Sequence, residues 1–484
     1  MDAWGLAFLT FSCVAGGPFG IEVAVEASGA FLTIMGLLLA AILWGMPQAL
    51  ITAELSSSIP RNGGPVVWVE RALGPRWGFL NCWIIVFQQV TDIVLYPTLI
   101  ANYASQLLPS MGAIELYLLK VSVLMLSAIL NILGVEGIST SASVLTACIM
   151  APFMLLPCVA FSNGSRFDWQ SVGPSGIPPS MLSNLAVFVS TVLWNMQGWS
   201  EVGCIAGEVD GKVFPVGMAI AAALVTAAYS IPVIFGVALS SDTSQWGDGY
   251  FVTLASSLSP WLGILVMLSA LLANLSTLLT SMAAYTRTLQ ASARMGAIPI
   301  LTFQKNYTKW KTPVPAILFY TLTTCIISYG LDFSSLVVFD SAFYLVGQLS
   351  VVVAFLTLKY TEPLLHRPYS FPGGIGGAIL ATTSSILLAL VALFLTFWGE
   401  FMSGVIVVCV CVAIYASTFA VDFLPCGLRE SILNFYNGMK ESGAVENSND
   451  DQENEETKEA SDSYDTPLSS EEPAVFKLKD LRIS

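Results

Sequence analysis

Charge is scarce in this chain. Of 484 residues, 19 are Lys or Arg and 33 are Asp or Glu, so charged side chains make up 11%, where a soluble domain carries roughly 25%. That deficit excludes an ordinary soluble enzyme, and with 55% hydrophobic residues it points to an integral membrane protein. Histidine is nearly absent: His366 is the only one, and no His/Cys cluster has metal-ligand spacing, so neither metal nor cofactor is expected. No Walker A pattern is present, which argues against ATP-driven pumping. The net charge of −14 argues against a nucleic-acid partner. The nine cysteines lie in or at the ends of apolar stretches and read as small core hydrophobes, not a disulfide framework. The first apolar stretch lacks a basic flank and a cleavage-like end, so it is expected to be a span and not a signal peptide.

What the chain does have is long apolar runs. A membrane helix needs about 20 mostly apolar residues. Twelve such segments are expected, at roughly 4–28, 31–55, 78–107, 114–134, 138–162, 182–207, 214–240, 261–290, 314–330, 334–359, 374–397 and 400–423. Placing Met1 in the cytosol puts Arg61, Arg71, Arg76, Lys212, Arg294, Lys305, Lys309, Lys311, Lys359 and Arg367 in inner loops. Only Arg166 then falls outside. That asymmetry follows the positive-inside rule and puts both termini in the cytosol, with the plasma membrane as the expected location. From Pro425 onward 14 acids meet 6 bases in a Ser- and Asn-rich stretch, so residues 425–484 are expected to form a disordered acidic cytosolic tail on a transmembrane domain spanning 1–424.

Two spans carry helix breakers in their middles. The first contains Gly16-Gly17-Pro18-Phe19-Gly20, and the sixth contains Trp194-Asn195-Met196-Gln197-Gly198-Trp199. Gly and Pro interrupt helical hydrogen bonding. In lipid, freed backbone groups are tolerated only where they line a cavity or site. Breaks in spans 1 and 6 are what an inverted five-helix repeat produces, with one repeat over about 4–162, a second over about 182–359, and accessory helices at 374–423. The plainer alternative is that small residues only permit tight helix packing. At such breaks, C-terminal half-ends favour ammonium groups or Na⁺ and N-terminal half-ends favour carboxylates. An amino acid uses both ends; a polyamine uses the carbonyl ends and needs added carboxylates.

Several motifs resemble a known family. Ala53-Glu54-Leu55, followed by Ile59-Pro60, Gly63-Gly64 and Trp68-Val69, is similar to the inner-loop signature after span 2 of amino acid–polyamine–organocation (APC) permeases. Arg287 to Pro299 resembles their span 8 ending, and Thr312-Pro313-Val314-Pro315 the start of span 9. The first break followed by Glu22, Ala206-Gly207-Glu208-Val209, and Asp92 with Tyr96-Pro97 resemble the branch holding plant and trypanosomatid polyamine uptake permeases. The similarity covers residues 1 to about 424. It implies an all-α membrane protein of twelve transmembrane helices with the 5+5 inverted repeat of the LeuT-like APC fold, working by alternating access and often proton-coupled.

Acids within spans are functional candidates, because an ionised side chain at mid-bilayer costs at least roughly 2.5–3.5 kcal/mol. Asp92 sits mid-span with Gln89, Tyr96 and Tyr103 at helical spacing, as an ammonium ligand, a proton carrier or a buried structural acceptor. Glu201 follows the span 6 break; polyamine relatives have Trp-Asp where this chain has Trp199-Ser200-Glu201, which moves the acid by one residue. Asp340 shares a face with Tyr344 and Gln348 at a place where those relatives have Glu. Glu22 and Glu26 follow the span 1 break, where a helix N-terminus alone favours acids. Glu208 is assigned to an inner gate or helix end. The expected substrate site is therefore Gly16, Gly17, Asp92, Tyr96, Trp194, Asn195, Gln197, Trp199, Glu201, Asp340 and Tyr344, with Trp194, Trp199, Tyr96 and Tyr344 available for cation–π contacts.

Span 5 contains no Lys or Arg, whereas some proton-coupled relatives place a Lys there. A carboxylate is then expected to carry the proton, with Asp92, Asp340 and Glu22 as candidates. Ser276 with Thr277, or Thr280 with Ser281, offers an alternative Na⁺ site facing the span 1 carbonyls. The leading expectation is a proton-coupled symporter importing polyamines such as putrescine. The alternatives are an amino acid permease or exchanger of the same fold, in which Gly16 and Gly17 seat an α-carboxylate, and a non-transporting nutrient sensor. A disulfide-linked heavy chain is not an expected partner, because the outer loop at 108–114 lacks the Cys that such pairing uses. Small-molecule substrate, coupling ion and membrane lipid are the expected partners.

Overall fold

The structure is a computed structural model that describes residues 2–412 apart from 109, 135–137, 175–176, 296, 299–302, 304–311, 330–332, 400–404 and 406–407. The acidic tail and most of the expected twelfth span lie outside the described residues. Every regular element among the described residues is helical, as lipid requires of an uninterrupted apolar segment whose backbone groups have no water to bond.

The chain begins with α1 (Ala3–Val14), whose first turn is capped by Asp2 accepting from the Gly5 N–H at 2.8 Å. After an irregular stretch comes α2 (Glu22–Ala40), then a π-turn (Ala41–Gly45) and α3 (Met46–Ser58). Gly29, at φ 79° and ψ 166°, divides α2, so that Glu22–Ser28 completes the first span and the second begins beyond it. A short helix α4 (Pro65–Leu73) leads into α5 (Pro75–Leu107), α6 (Ala113–Leu133) and α7 (Ile138–Ser162). The second half runs from α8 (Leu185–Trp194) through a 3₁₀ segment (Glu201–Glu208) to α9 (Phe214–Leu239) and a short α10 (Tyr250–Leu258). It continues with α11 (Pro260–Arg294), α12 (Val314–Ile327), α13 (Phe333–Thr361) and α14 (Gly374–Gly399).

Eight of the described helical stretches are long and apolar enough to cross a membrane, and α1, α8 and α12 are shorter apolar helices. The two short halves α1 and α8 arise where the expected breaks fall. At 33 and 35 residues, α5 and α11 reach about 50 Å at 1.5 Å per residue, more than a hydrocarbon core of roughly 30 Å, so they project past it or tilt.

The broken helices lie inside the bundle. α1 packs against α7, α9, α11 and the 3₁₀ segment, and α8 packs against α2, α13 and α14. The inner-loop signature acts in packing: a Cβ on Gly203 of the 3₁₀ segment would meet the Trp68 ring at 2.4 Å, and the Gly63 N–H donates to the Cys204 carbonyl at 3.2 Å. The motif thus fastens α4 beneath the second break. Trp44 and Trp246 are core residues at 1% and 0% exposure, with Trp44 packed on Tyr344 and Trp246 on Phe251.

Candidate functional site

Both expected breaks are irregular backbone. α1 stops at Val14, and Gly16, Gly17 and Gly20 take φ of 60°, 150° and 83°. α8 stops at Trp194, and Gly198 takes φ of 92°. The two stretches touch. A Cβ on Gly198 would lie 2.8 Å from the Cys13 carbonyl oxygen, and one on Gly20 would lie 2.9 Å from the Trp194 ring. Glycine is needed here on two counts, a left-handed φ and a neighbour too close for any side chain.

Between the breaks lies a small cavity, bordered by Cys13, Val14 and Ala15 at the end of α1, by Trp194, Gln197, Gly198 and Glu201, by Asp92 and Tyr96 of α5, and by Tyr229 and Thr277. A second cavity is bordered by Pro65, Gln88, Gln89, Tyr285, Tyr344 and Gln348. Glu201 lines both cavities.

The expected acids converge. Tyr96 and Tyr285 each donate to Asp92 Oδ2 at 2.7 Å. Tyr285 is also 2.7 Å from Glu201 Oε1, and Ser281 donates to Glu201 Oε2 at 3.4 Å. Asp340 is fully buried one side chain behind the cavity: its carboxylate accepts from the Gln88 amide at 3.0 Å, from Thr91 at 3.3 Å and from Gln197, which lines the cavity. Each of these partners is a neutral donor. Three acids in low dielectric, met among the described residues by phenols, hydroxyls, amides and the Trp194 indole beside Asp92, leave the site short of positive charge.

The N–H groups near the first break are largely used. Gly16 N donates to the Phe11 carbonyl at 3.0 Å, Gly17 N to the Ala15 carbonyl at 2.6 Å, and Gly20 N to Glu22 Oε2 at 2.8 Å. Glu22 is fully buried and also accepts from Tyr103, so it caps the second half of the first span from within, whereas Glu26 is exposed. At the second break Gly198 N donates to Tyr344 Oη at 3.1 Å. Asn195 Nδ2 donates to the Thr191 carbonyl at 2.8 Å, and its buried Oδ1 has no partner among the described residues.

Not every expected residue borders the cavity. Gly16 and Gly17 shape the break but sit against Thr277 and Ile149. Trp199 is turned toward Gly45 and donates to the Met196 carbonyl at 2.8 Å. Ser276 is buried on α11, and Thr277 Oγ1 donates to the Ala273 carbonyl at 3.1 Å. The Glu208 side chain lies outside the described residues. Sequence reasoning missed Tyr229, whose hydroxyl reaches the Ala15 carbonyl at 3.3 Å, and Tyr285. The latter had a signal: Thr277, Ser281 and Tyr285 recur every four residues along α11, one polar stripe facing the first break.

Paired discontinuous helices around a buried polar cavity define a membrane transporter and not an enzyme. The amino acid permease family model matches residues 1–421, and the chain belongs to that family, within the APC superfamily. It is 33% identical over 411 residues to a probable polyamine transporter of Arabidopsis thaliana, covering 83% of this chain and 84% of that one. It is 32% identical to the polyamine transporter PUT1 of Oryza sativa subsp. japonica, covering 80% and 73%. In fold it is similar to a crystal structure of MhsT in complex with L-phenylalanine, with a TM-score of 0.60 at 15% identity, covering 81% of this chain and 98% of that one.

Proposed function

We propose that this permease imports polyamines such as putrescine by alternating access, as a proton-coupled symporter of the plasma membrane with both termini in the cytosol. Residues 1–424 form its transport domain, built of repeats at about 4–162 and 182–359. The carbonyl end of α1, Asp92, Tyr96, Trp194, Gln197 and Glu201 form the substrate site, with Asp340 behind it.

One observation carries this reading: Asp92, Glu201 and Asp340 gather at the breaks with, among the described residues, only neutral hydrogen-bond donors as partners. Burying a dication is prohibitive without counter-charges, and two ionised carboxylates of this cluster are enough to supply them. The C-terminal ends of α1 and α8 add negative dipole ends. Two named polyamine transporters among the relatives agree with it. The second reading is an amino acid substrate, favoured by the family's description as amino acid permeases. Against it stands the use of the Gly16, Gly17 and Gly20 N–H groups, which an α-carboxylate needs. Protons are the proposed coupling ion, carried by a buried carboxylate, for which the sequence offers Asp92, Asp340 and Glu22; Ser276 and Thr277 are the place for Na⁺ if the coupling is to sodium.

The test is radiolabelled putrescine uptake in cells expressing the full chain, competed with arginine and leucine. Putrescine and spermidine should compete and leucine should not. Asp92→Asn and Asp340→Asn each remove one counter-charge, which costs about 2–5 kcal/mol of binding, or about thirtyfold or more in affinity. Leucine uptake that both variants preserve, with no putrescine uptake by the wild type, refutes the polyamine reading.

A further inference from the structure

Hydrogen-bond donors can be counted around Tyr285. Its single hydroxyl proton faces two carboxylate oxygens, Asp92 Oδ2 and Glu201 Oε1, each at 2.7 Å. A phenol has one proton to donate and lone pairs to accept with. Both short contacts are hydrogen bonds only if one of the two acids carries a proton and donates it to the phenol oxygen. Asp92 Oδ2 already accepts from Tyr96 at 2.7 Å, so Asp92 is the acid with two phenol donors and is the ionised one. The proton then sits on Glu201 Oε1, leaving Oε2 to accept from Ser281 at 3.4 Å, as found. Asp340, facing the amide N–H groups of Gln88 and Gln197, is an acceptor and ionised.

We propose that Glu201 is the proton carrier: it crosses with the diamine as the neutral acid, bonded through Tyr285 to ionised Asp92, gives its proton to water on the far side and returns as the carboxylate, so that one proton travels with each diamine. The inference rests on the diamine reading above. Its charge balance is closed: Asp92 and Asp340 supply two negative charges for two ammonium groups, and neutral Glu201 adds none. The other groups acting on Glu201 fit this assignment. Cys13 of α1, Tyr96 of α5 and Tyr344 of α13 carry no positive charge. Asp92 and Asp340 repel a third anion. Cys204 lies on the same 3₁₀ segment, and Arg287, two residues past Tyr285, bears on Cys204. Position explains release. Of the three acids, Glu201 alone lines both cavities, so a proton it releases can enter a space that Asp92 does not border. This places the proton on a residue that the sequence assigns to the substrate site.

The experiment uses the full chain in proteoliposomes with the membrane potential clamped at zero, reading putrescine accumulation against an imposed pH gradient. One proton per diamine converts each pH unit into about tenfold accumulation. Glu201→Gln keeps a donor toward Tyr285 but no titratable proton. It should lose gradient-driven accumulation, and its residual putrescine exchange should no longer vary with pH. Tyr285→Phe removes the bridge and should lower the proton-to-putrescine ratio; it also serves if Glu201→Gln fails to reach the membrane. Proton-driven accumulation of wild-type size in both variants overturns the assignment alone. A wild type that neither accumulates nor exchanges putrescine overturns the diamine reading, and this inference with it.

Discussion

Glu54→Gln tests what fastens α3 to α13. Glu54 lies near the end of α3 with its side chain 2% exposed, 3.0 Å from Lys359 Nζ and 2.9 Å from Arg367 Nε. It also accepts the Phe371 N–H at 2.6 Å. One carboxylate therefore ties α3 to the end of α13 and to the loop before α14. The cations are themselves shielded, with side chains 7% and 13% exposed. Removing one partner of a buried ion pair costs about 3–5 kcal/mol, because the other charge stays behind uncompensated. Arg367 would keep the carbonyls of Leu358, Glu362 and Leu365, at 3.0, 3.1 and 3.2 Å. Lys359 would keep only the Phe355 ring, 5.4 Å from its ammonium, among the contacts described for it. The cost therefore falls at the low end, about 3 kcal/mol, or roughly a hundredfold in the folding equilibrium. The assay is equilibrium unfolding of the purified chain in mixed detergent micelles. Adding Lys359→Met to Glu54→Gln removes the orphaned charge and should recover most of the loss. A single variant within about 1 kcal/mol of wild type, or a double variant worse than the single, refutes the reasoning.

Gly16→Ala should abolish uptake. Gly16 has φ of +60°, and a Cβ would sit 2.0 Å from Thr277 Oγ1. The left-handed backbone alone costs an L-residue roughly 1–2 kcal/mol. Thr277→Ala on the same background should recover part of the activity in a transport assay, because it lifts the clash and not the strain. On the surface, Arg71 and Glu362 pair at 2.6 Å with side chains 40% and 33% exposed, and a double-mutant cycle on unfolding should give only about 0.2–1 kcal/mol. The Arg71 hydrogen bond holds the Glu362 carboxyl below its usual range. A carboxyl lowered by folding stabilises above its unfolded value of about 4.3, so the coupling should be present at neutral pH and vanish as pH falls through the lowered folded value.

The breaks were legible because lipid tolerates Gly and Pro within an apolar run only where the freed backbone groups find partners or line a cavity. Asp92 and Asp340 were legible for a related reason, the cost of charge at mid-bilayer. Partnerships were not. That Tyr285 bridges Asp92 and Glu201 depends on how α5, α11 and the 3₁₀ segment meet, which no spacing within one helix encodes. Trp199 illustrates the limit from the other side: it sits at the break, yet the local turn aims it at Gly45 and away from the cavity. In the sequence Glu54 is part of a loop signature, whereas in the fold it is a buried ionic anchor because Lys359 and Arg367, some 300 residues later, come to it. Thr277 stands out in the sequence as a cation-site candidate, and the polar stripe it begins runs on through Ser281 to Tyr285, where only the packing of α11 against the first break gives it meaning.

The central claim is that substrate occupies the cavity between the two unwound segments. Cys13 borders that cavity and is a native reporter for it. In a chain that keeps Cys13 and loses the other cysteines, modification by a small thiol reagent is timed with and without putrescine. Slowing of Cys13 modification in step with putrescine concentration is the predicted result, reaching half-effect at the concentration that half-saturates uptake. An unchanged rate at saturating putrescine, in a chain that still transports it, contradicts the account.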